Sequence, residues 1–187
     1  MILNDSIYEH IEVVKGLISL ENEVTKFASR LSTAFRDGHK LLIMGNGGSA
    51  AESQHFAAEI VVRYKKNRKG LPAIALTTDS SILTATGNDY SFDEIFSRQI
   101  EALAKKGDIV LGISTSGKSI NVLHGMRAAK SIGCYTIGLL GNDGGSISRL
   151  SDLPIVIKSH NTPRIQECHS IIIHIVCEIL DEEFVNE

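Results

Sequence analysis

The chain reads as an α/β protein, a three-layer αβα sandwich built on a five-stranded parallel sheet and preceded by a long N-terminal helix. Three observations predict this. Five short apolar runs, at 41–44, 73–76, 109–113, 135–140 and 153–157, are continuous and rich in β-branched residues, as strands covered on both faces should be. Segments of helical periodicity separate them, and strict alternation of strand and helix favours parallel order. The 187 residues, 43% hydrophobic and 22% charged, are enough for one well-buried core and too few for two, so residues 1–187 are expected to form a single domain.

Taken in order, residues 4–37 place Ile7, Ile11, Val14, Leu17, Ile18, Leu20, Val24, Phe27, Leu31 and Phe35 at helical spacing, ending at Asp37-Gly38. That is more apolar surface than one sheet face needs, so this helix is expected to pack across subunits of a homo-oligomer. The first strand stops at a glycine cluster, and a helix over 48–64 follows with Ser49 at its start. Within it His55 and Glu59 stand four apart and share a face. KKNRK at 65–69 reads as a solvated loop edge. Further helices are expected at 80–104 with a break near Gly87-Asn88-Asp89, at 118–132, at 144–150 and at 163–184. The last carries Ile165, Ile172, Ile173, Val176, Ile179 and Leu180 on one face, with Gln166, His169 and His174 interspersed.

Composition narrows the function classes. A net charge of −3 and a pI near 6.2 supply no basic field for nucleic acid or anionic membrane. No apolar run approaches the ~18 residues of a membrane span. Three cysteines without CxxC spacing fit free thiols in a reducing compartment, so a soluble, cytoplasmic protein is expected.

Ligands of such folds gather beyond the carboxyl ends of the strands, and there the loops read GNGGSAA, TTDSS, STSGKS and GNDGG. Hydroxyls, amides and glycines of this kind suit a phosphate held by hydrogen bonds. Two familiar patterns compete. Gly45-Asn46-Gly47-Gly48-Ser49-Ala50 satisfies the dinucleotide fingerprint, yet the acid after the second strand, Asp79, lies 29 residues past Ala50 where ~20 is expected. Residues 112–119 match the P-loop pattern, but Ser114, Thr115 and Ser116 are hydroxylic where a P-loop relies on backbone amides. One sugar phosphate is the better occupant.

The blocks GNGGSAAESQHFAAE, RYKKNRKGLPAIAL, GNDYSFDEIFSRQIEA, GDIVLGISTSGKSINV and RIQECHSIIIHIV, in this order along almost the whole chain, resemble the sugar isomerase (SIS) domain family and, within it, the phosphoheptose isomerases. The resemblance implies a flavodoxin-like sheet order and conversion of sedoheptulose 7-phosphate to D-glycero-D-manno-heptose 7-phosphate through an enediol, opening a bacterial heptose-conjugate pathway. It places the sugar on Asn46, Gly47, Gly48, Asn88 and Asp89, and the phosphate on Ser114, Thr115, Ser116 and Ser119 with Ser49 nearby. It also assigns Glu59 and His174 as the catalytic pair, and one Zn2+ per subunit on His55, Glu59, Gln166 and His174, with Glu59 and Gln166 touching substrate as well. One extra residue between the second strand and Asn88 departs from the family pattern, and Lys118 stands where the family varies.

Gln166 and His174 are eight apart, roughly 12 Å of rise and 80° of turn on a straight helix. That separation points to sites completed by a neighbouring subunit, in a symmetric tetramer. Two alternatives remain at this point: a non-catalytic SIS regulator binding a phosphosugar or a protein such as a replication initiator, and an isomerase of another phosphosugar. Joint presence of His55, Glu59, Gln166 and His174 favours catalysis.

Overall fold

The computed structural model describes residues 1–185. Strands β1 (Leu41–Gly45), β2 (Ala73–Ala75), β3 (Ile109–Ser114), β4 (Tyr135–Gly141) and β5 (Leu153–Ile157) form one sheet in the order β2-β1-β3-β4-β5, every pairing parallel. The chain leaves β1 toward one edge and returns to β3 on its other side, so the loops after β1 and β3 diverge at a topological switch point.

Alternate strand residues feed two cores. Leu41, Ile43, Leu111, Ile113 and Ile155 face α2 (Glu21–Arg36), α3 (Gly48–Val61) and α8 (Thr162–Phe184). Leu42, Met44, Val110 and Leu140 face α5 (Ser97–Leu103), α6 (Ile120–Ile132) and α7 (Gly145–Leu150), with α4 (Ser80–Asp89) at the margin. The central strands β1 and β3 are buried throughout, as their continuous apolar runs predict. The edges differ: β2 leaves Ile74 40% exposed, and β5 alternates between buried and half-buried positions.

Element ends follow local chemistry. Asp79 Oδ1 accepts from Ile82 N at 2.9 Å and caps α4; Gly133, at φ 92°, closes α6 in the left-handed region; a proline occupies the first turn of α8. Asp79 is thereby committed as a cap, which removes the ribose-binding acid of the dinucleotide reading.

The long N-terminal helical segment runs from Ile2 to Arg36, as α1 (Ile2–Lys15) and α2 joined through a 3-10 turn at Gly16–Leu20, where Gly16 weakens the helix. The helix expected over 80–104 breaks near Asp89, where α4 ends, and the chain turns at Tyr90 before α5. One expectation needs correction: the basic run is only partly solvated. Arg68 is buried, with its Nε donating to Asp181 Oδ1 at 2.8 Å and its Nη atoms to the carbonyls of Glu59 and Ile60 at 2.9 Å.

Cys134, Cys168 and Cys177 are free and buried, and burial pushes their thiols up to about 11, 11 and 12 respectively, so none is poised as a nucleophile. Among the described residues no helix is long and apolar enough to cross a membrane.

Candidate active site

Beyond β1 the chain turns through Asn46 and Gly47 into α3. Gly47 adopts φ 56°, and a Cβ on it would meet nothing, so the peptide is open to a ligand. A Cβ on Gly48 would instead overlap the amide of Gln166, which brings α8 directly against this loop. Ser49 is buried, its carbonyl accepting from Ser53 Oγ at 2.8 Å. The Asn46 side chain exchanges two hydrogen bonds of 2.9 Å with Asn121 in the first turn of α6. That amide pair ties the β1 loop to the start of α6; motif reasoning missed Asn121, although it stands two residues past the last serine of the loop.

The β3 loop gathers its hydroxyls inward. Ser114 Oγ lies 3.0 Å from Ser119 Oγ and 3.4 Å from Ser116 Oγ, and it accepts from Gly117 N at 3.1 Å. Ser119 occupies the N-cap of α6 without a side-chain capping bond, so the free amides of that thirteen-residue helix and three hydroxyls converge. Thr115 is held from behind, its carbonyl accepting from Asn142 Nδ2 at 2.8 Å. Gly117, at φ 65°, packs on the backbone of Gly144, leaving no room for a side chain. Gly112 lies within β3, where a Cβ would come 2.8 Å from Val122 Cγ1; it is a packing glycine, so the P-loop match is coincidental.

Two turns into α3, two of the histidines singled out in the sequence meet. His55 Nε2 and His174 Nε2 are 2.9 Å apart, one donating to the other, with their rings edge-on at 5.2 Å. Glu59 Oε1 approaches His55 from the opposite side, 3.8 Å from Nδ1. The structure thus joins Glu59 to His174 through His55 within one chain. It does not bring Gln166 to them, because Gln166 sits at Gly48. Among the described residues no group of three or more His, Cys, Asp or Glu side chains converges as a metal site. Asn88 and Asp89, at the end of α4, are both exposed and their side chains bond each other at 2.8 Å.

Two further ties fix α3 against α8. His169 is fully buried, its Nε2 donating to Leu140 O at 3.2 Å while Nδ1 faces Glu52 Oε2 at 3.7 Å, and Ser170 Oγ donates to Glu52 Oε1 at 3.0 Å. At the far end, Asp181 accepts from Arg68 and from the amides of Lys65 and Lys66 at 2.6 and 2.7 Å. Burial alone would raise the Asp181 carboxyl; the Lys66 and Lys65 amides and the Arg68 guanidinium outweigh it and hold the group below the usual range.

The SIS domain profile matches residues 8–141. The chain is 52% identical over 186 residues to the phosphoheptose isomerase of Geotalea daltonii, covering 99% of this chain and 97% of that one. It is 60% identical over 163 residues to that of Geobacter sulfurreducens, covering 87% and 86%. The structure of phosphoheptose isomerase GmhA from Neisseria gonorrhoeae superposes with a TM-score of 0.91 at 39% identity, over 96% of this chain and 97% of that one. With the switch-point loops and the paired helices, these similarities place the chain in the SIS domain family, among the phosphoheptose isomerases.

Proposed function

We propose that the chain converts sedoheptulose 7-phosphate to D-glycero-D-manno-heptose 7-phosphate, with Glu59 and His174 moving the protons. The observation that carries this reading is the meeting of α3 and α8 at His55 and His174, with Glu59 beside them, two turns along the helix that begins at the glycine loop. A heptose whose phosphate rests on Ser114, Thr115, Ser116 and Ser119, with Ser49 behind, is read as lying along the start of α3 with its C1–C2 end toward the imidazoles. Asn46, Gly47 and Gly48 face its middle, Gln166 lies against Gly48, and Asn88 and Asp89 are assigned to its hydroxyls from the resemblance.

In the reaction, Glu59 takes a proton from C1 of the ketose as His174 gives one to O2, forming a cis-enediol. Glu59 then returns a proton to C2 while O1 loses its proton to the imidazole, leaving the aldehyde. Each group ends in its starting state. A carboxylate suits the carbon-bound proton and an imidazole, close to neutrality, suits the oxygens.

Two imidazole Nε2 atoms facing each other fit a zinc ion, whose preferred donors are of this type. His55 and His174 would hold it with Glu59 beside them, Gln166 reaching it only from a neighbouring copy, and it would polarise the substrate oxygens; an Nε2 bound to the ion carries no proton, so the ion and the transferable proton would occupy the His174 nitrogen by turns. Glu59 beside Nδ1 also suits the carboxylate that orients a metal-binding histidine.

A homotetramer is supported by an apolar groove of about 490 Å³ between the N-terminal helices and α8, lined by Val14, Leu17, Ile18, Ile171, Ile172 and Ile175. Ile18 is 77% exposed and Ile175 41%, a patch that a second copy would cover. Sedimentation as a monomer at micromolar concentration would contradict this. For the activity itself, sedoheptulose 7-phosphate incubated with the zinc-supplied chain should yield the aldose; unchanged ketose refutes the assignment.

A further inference from the structure

We propose that Tyr64 is a positioning residue for His174, holding the plane of its imidazole so that Nε2 points into the site. The proposal rests on the isomerase reading above. The Tyr64 ring stacks on the His174 imidazole with centroids 5.4 Å apart and planes 24° apart. His55 meets the same imidazole edge-on at 73°, so His174 is gripped on its face and at its nitrogen by two different elements. An imidazole otherwise turns broadly about its χ2 bond, and a proton donor that turns loses its line to the substrate oxygens.

The mount behind Tyr64 is rigid for reasons the site itself does not require. Tyr64 stands three residues past the end of α3, and the next two amides, of Lys65 and Lys66, both donate to Asp181 Oδ2. Asp181 lies seven residues beyond His174, two turns along the same face of α8. Arg68 joins this carboxylate to the carbonyls of Glu59 and Ile60. One buried carboxylate on α8 therefore sets the loop whose ring covers the histidine of α8, and the same guanidinium holds the last turn of α3 below Glu59. Lys65 Nζ sits 5.3 Å from the centre of the Tyr64 ring. No hydrogen bond from the Tyr64 hydroxyl is present among the described residues, which leaves the ring as the working part.

Full-length Tyr64→Phe and Tyr64→Leu variants separate positioning from packing, since Tyr64 also touches the core. The phenylalanine variant should keep kcat within about 2-fold. The leucine variant should lose about 10- to 100-fold in kcat, the scale of a small misplacement, with KM within about 2-fold and an unchanged urea midpoint. Ring protons of His174 should be shifted upfield by the tyrosine face in wild type and in Tyr64→Phe, and this shift should vanish in Tyr64→Leu. A leucine variant with wild-type kcat overturns the proposal while leaving the isomerase standing. So does a 10-fold loss of kcat in the folded phenylalanine variant, which would assign the role to the hydroxyl. A wild-type chain that does not isomerise the sugar overturns the isomerase reading itself.

Discussion

Cutting the Arg68–Asp181 pair is the perturbation whose cost follows most directly from the geometry. The two side chains are 0% and 1% exposed, and the carboxylate accepts from the guanidinium and two backbone amides. Replacing Arg68 with Met leaves a buried carboxylate without its countercharge, and replacing Asp181 with Leu strands the guanidinium and both amides. Breaking a buried pair from one side costs about 3–5 kcal/mol. For a chain of this size that lowers Tm by about 6–20 °C. Urea unfolding at fixed protein concentration, read as a change in midpoint with constant slope, measures it. The double variant should lose less than the two single losses summed, with a coupling of about 0.5–3 kcal/mol, since neither charge is then left alone. Single variants within about 1 kcal/mol of wild type would place the pair in the range of surface ion pairs and refute the clasp.

Acid should act through the same residue. Asp181 is held below its ordinary value, so its contribution to stability is complete above about pH 4 and is lost as pH falls through the lower folded value. Asp181→Asn should therefore flatten the stability profile below pH 4, and an unaltered acid midpoint would contradict this. Gly117→Ala should be destabilised and lose substrate affinity, because φ 65° and the Gly144 backbone leave no place for a methyl group; calorimetry and KM together check it. If the site takes zinc, His55→Ala and His174→Ala should each retain less metal than the zinc-supplied wild-type chain by elemental analysis; wild-type metal content in both variants would sink the zinc assignment.

The strands and the switch-point loops were legible because their signals are local. An apolar run between a helix and a glycine turn has few other fates, and the lengths of β1, β3 and β4 follow from it. His55 and Glu59 shared a face by spacing alone. What sequence left hidden is pairing between distant segments. Nothing in KKNRK distinguishes Arg68, which is buried on Asp181, from Lys69, which is exposed; only the return of α8 across α3 separates them. Asn121 looked like one more polar helix residue until its partner Asn46 was seen across the sheet. His169 could have passed for a ligand, yet its Nε2 bonds Leu140 O inside the core. The 3-10 turn at Gly16–Leu20 inside the long N-terminal helix was hidden too, because apolar spacing continues across it.

The central claim is that a carboxylate at position 59 carries a carbon-bound proton between C1 and C2. It is tested most directly by running the reaction in deuterated water for many turnovers and locating the label by NMR. Deuterium at C2 of the heptose with wild-type protein, and none with a folded Glu59→Gln variant, is the expected result. Aldose formed without any solvent deuterium, or wild-type labelling by the glutamine variant, would contradict it.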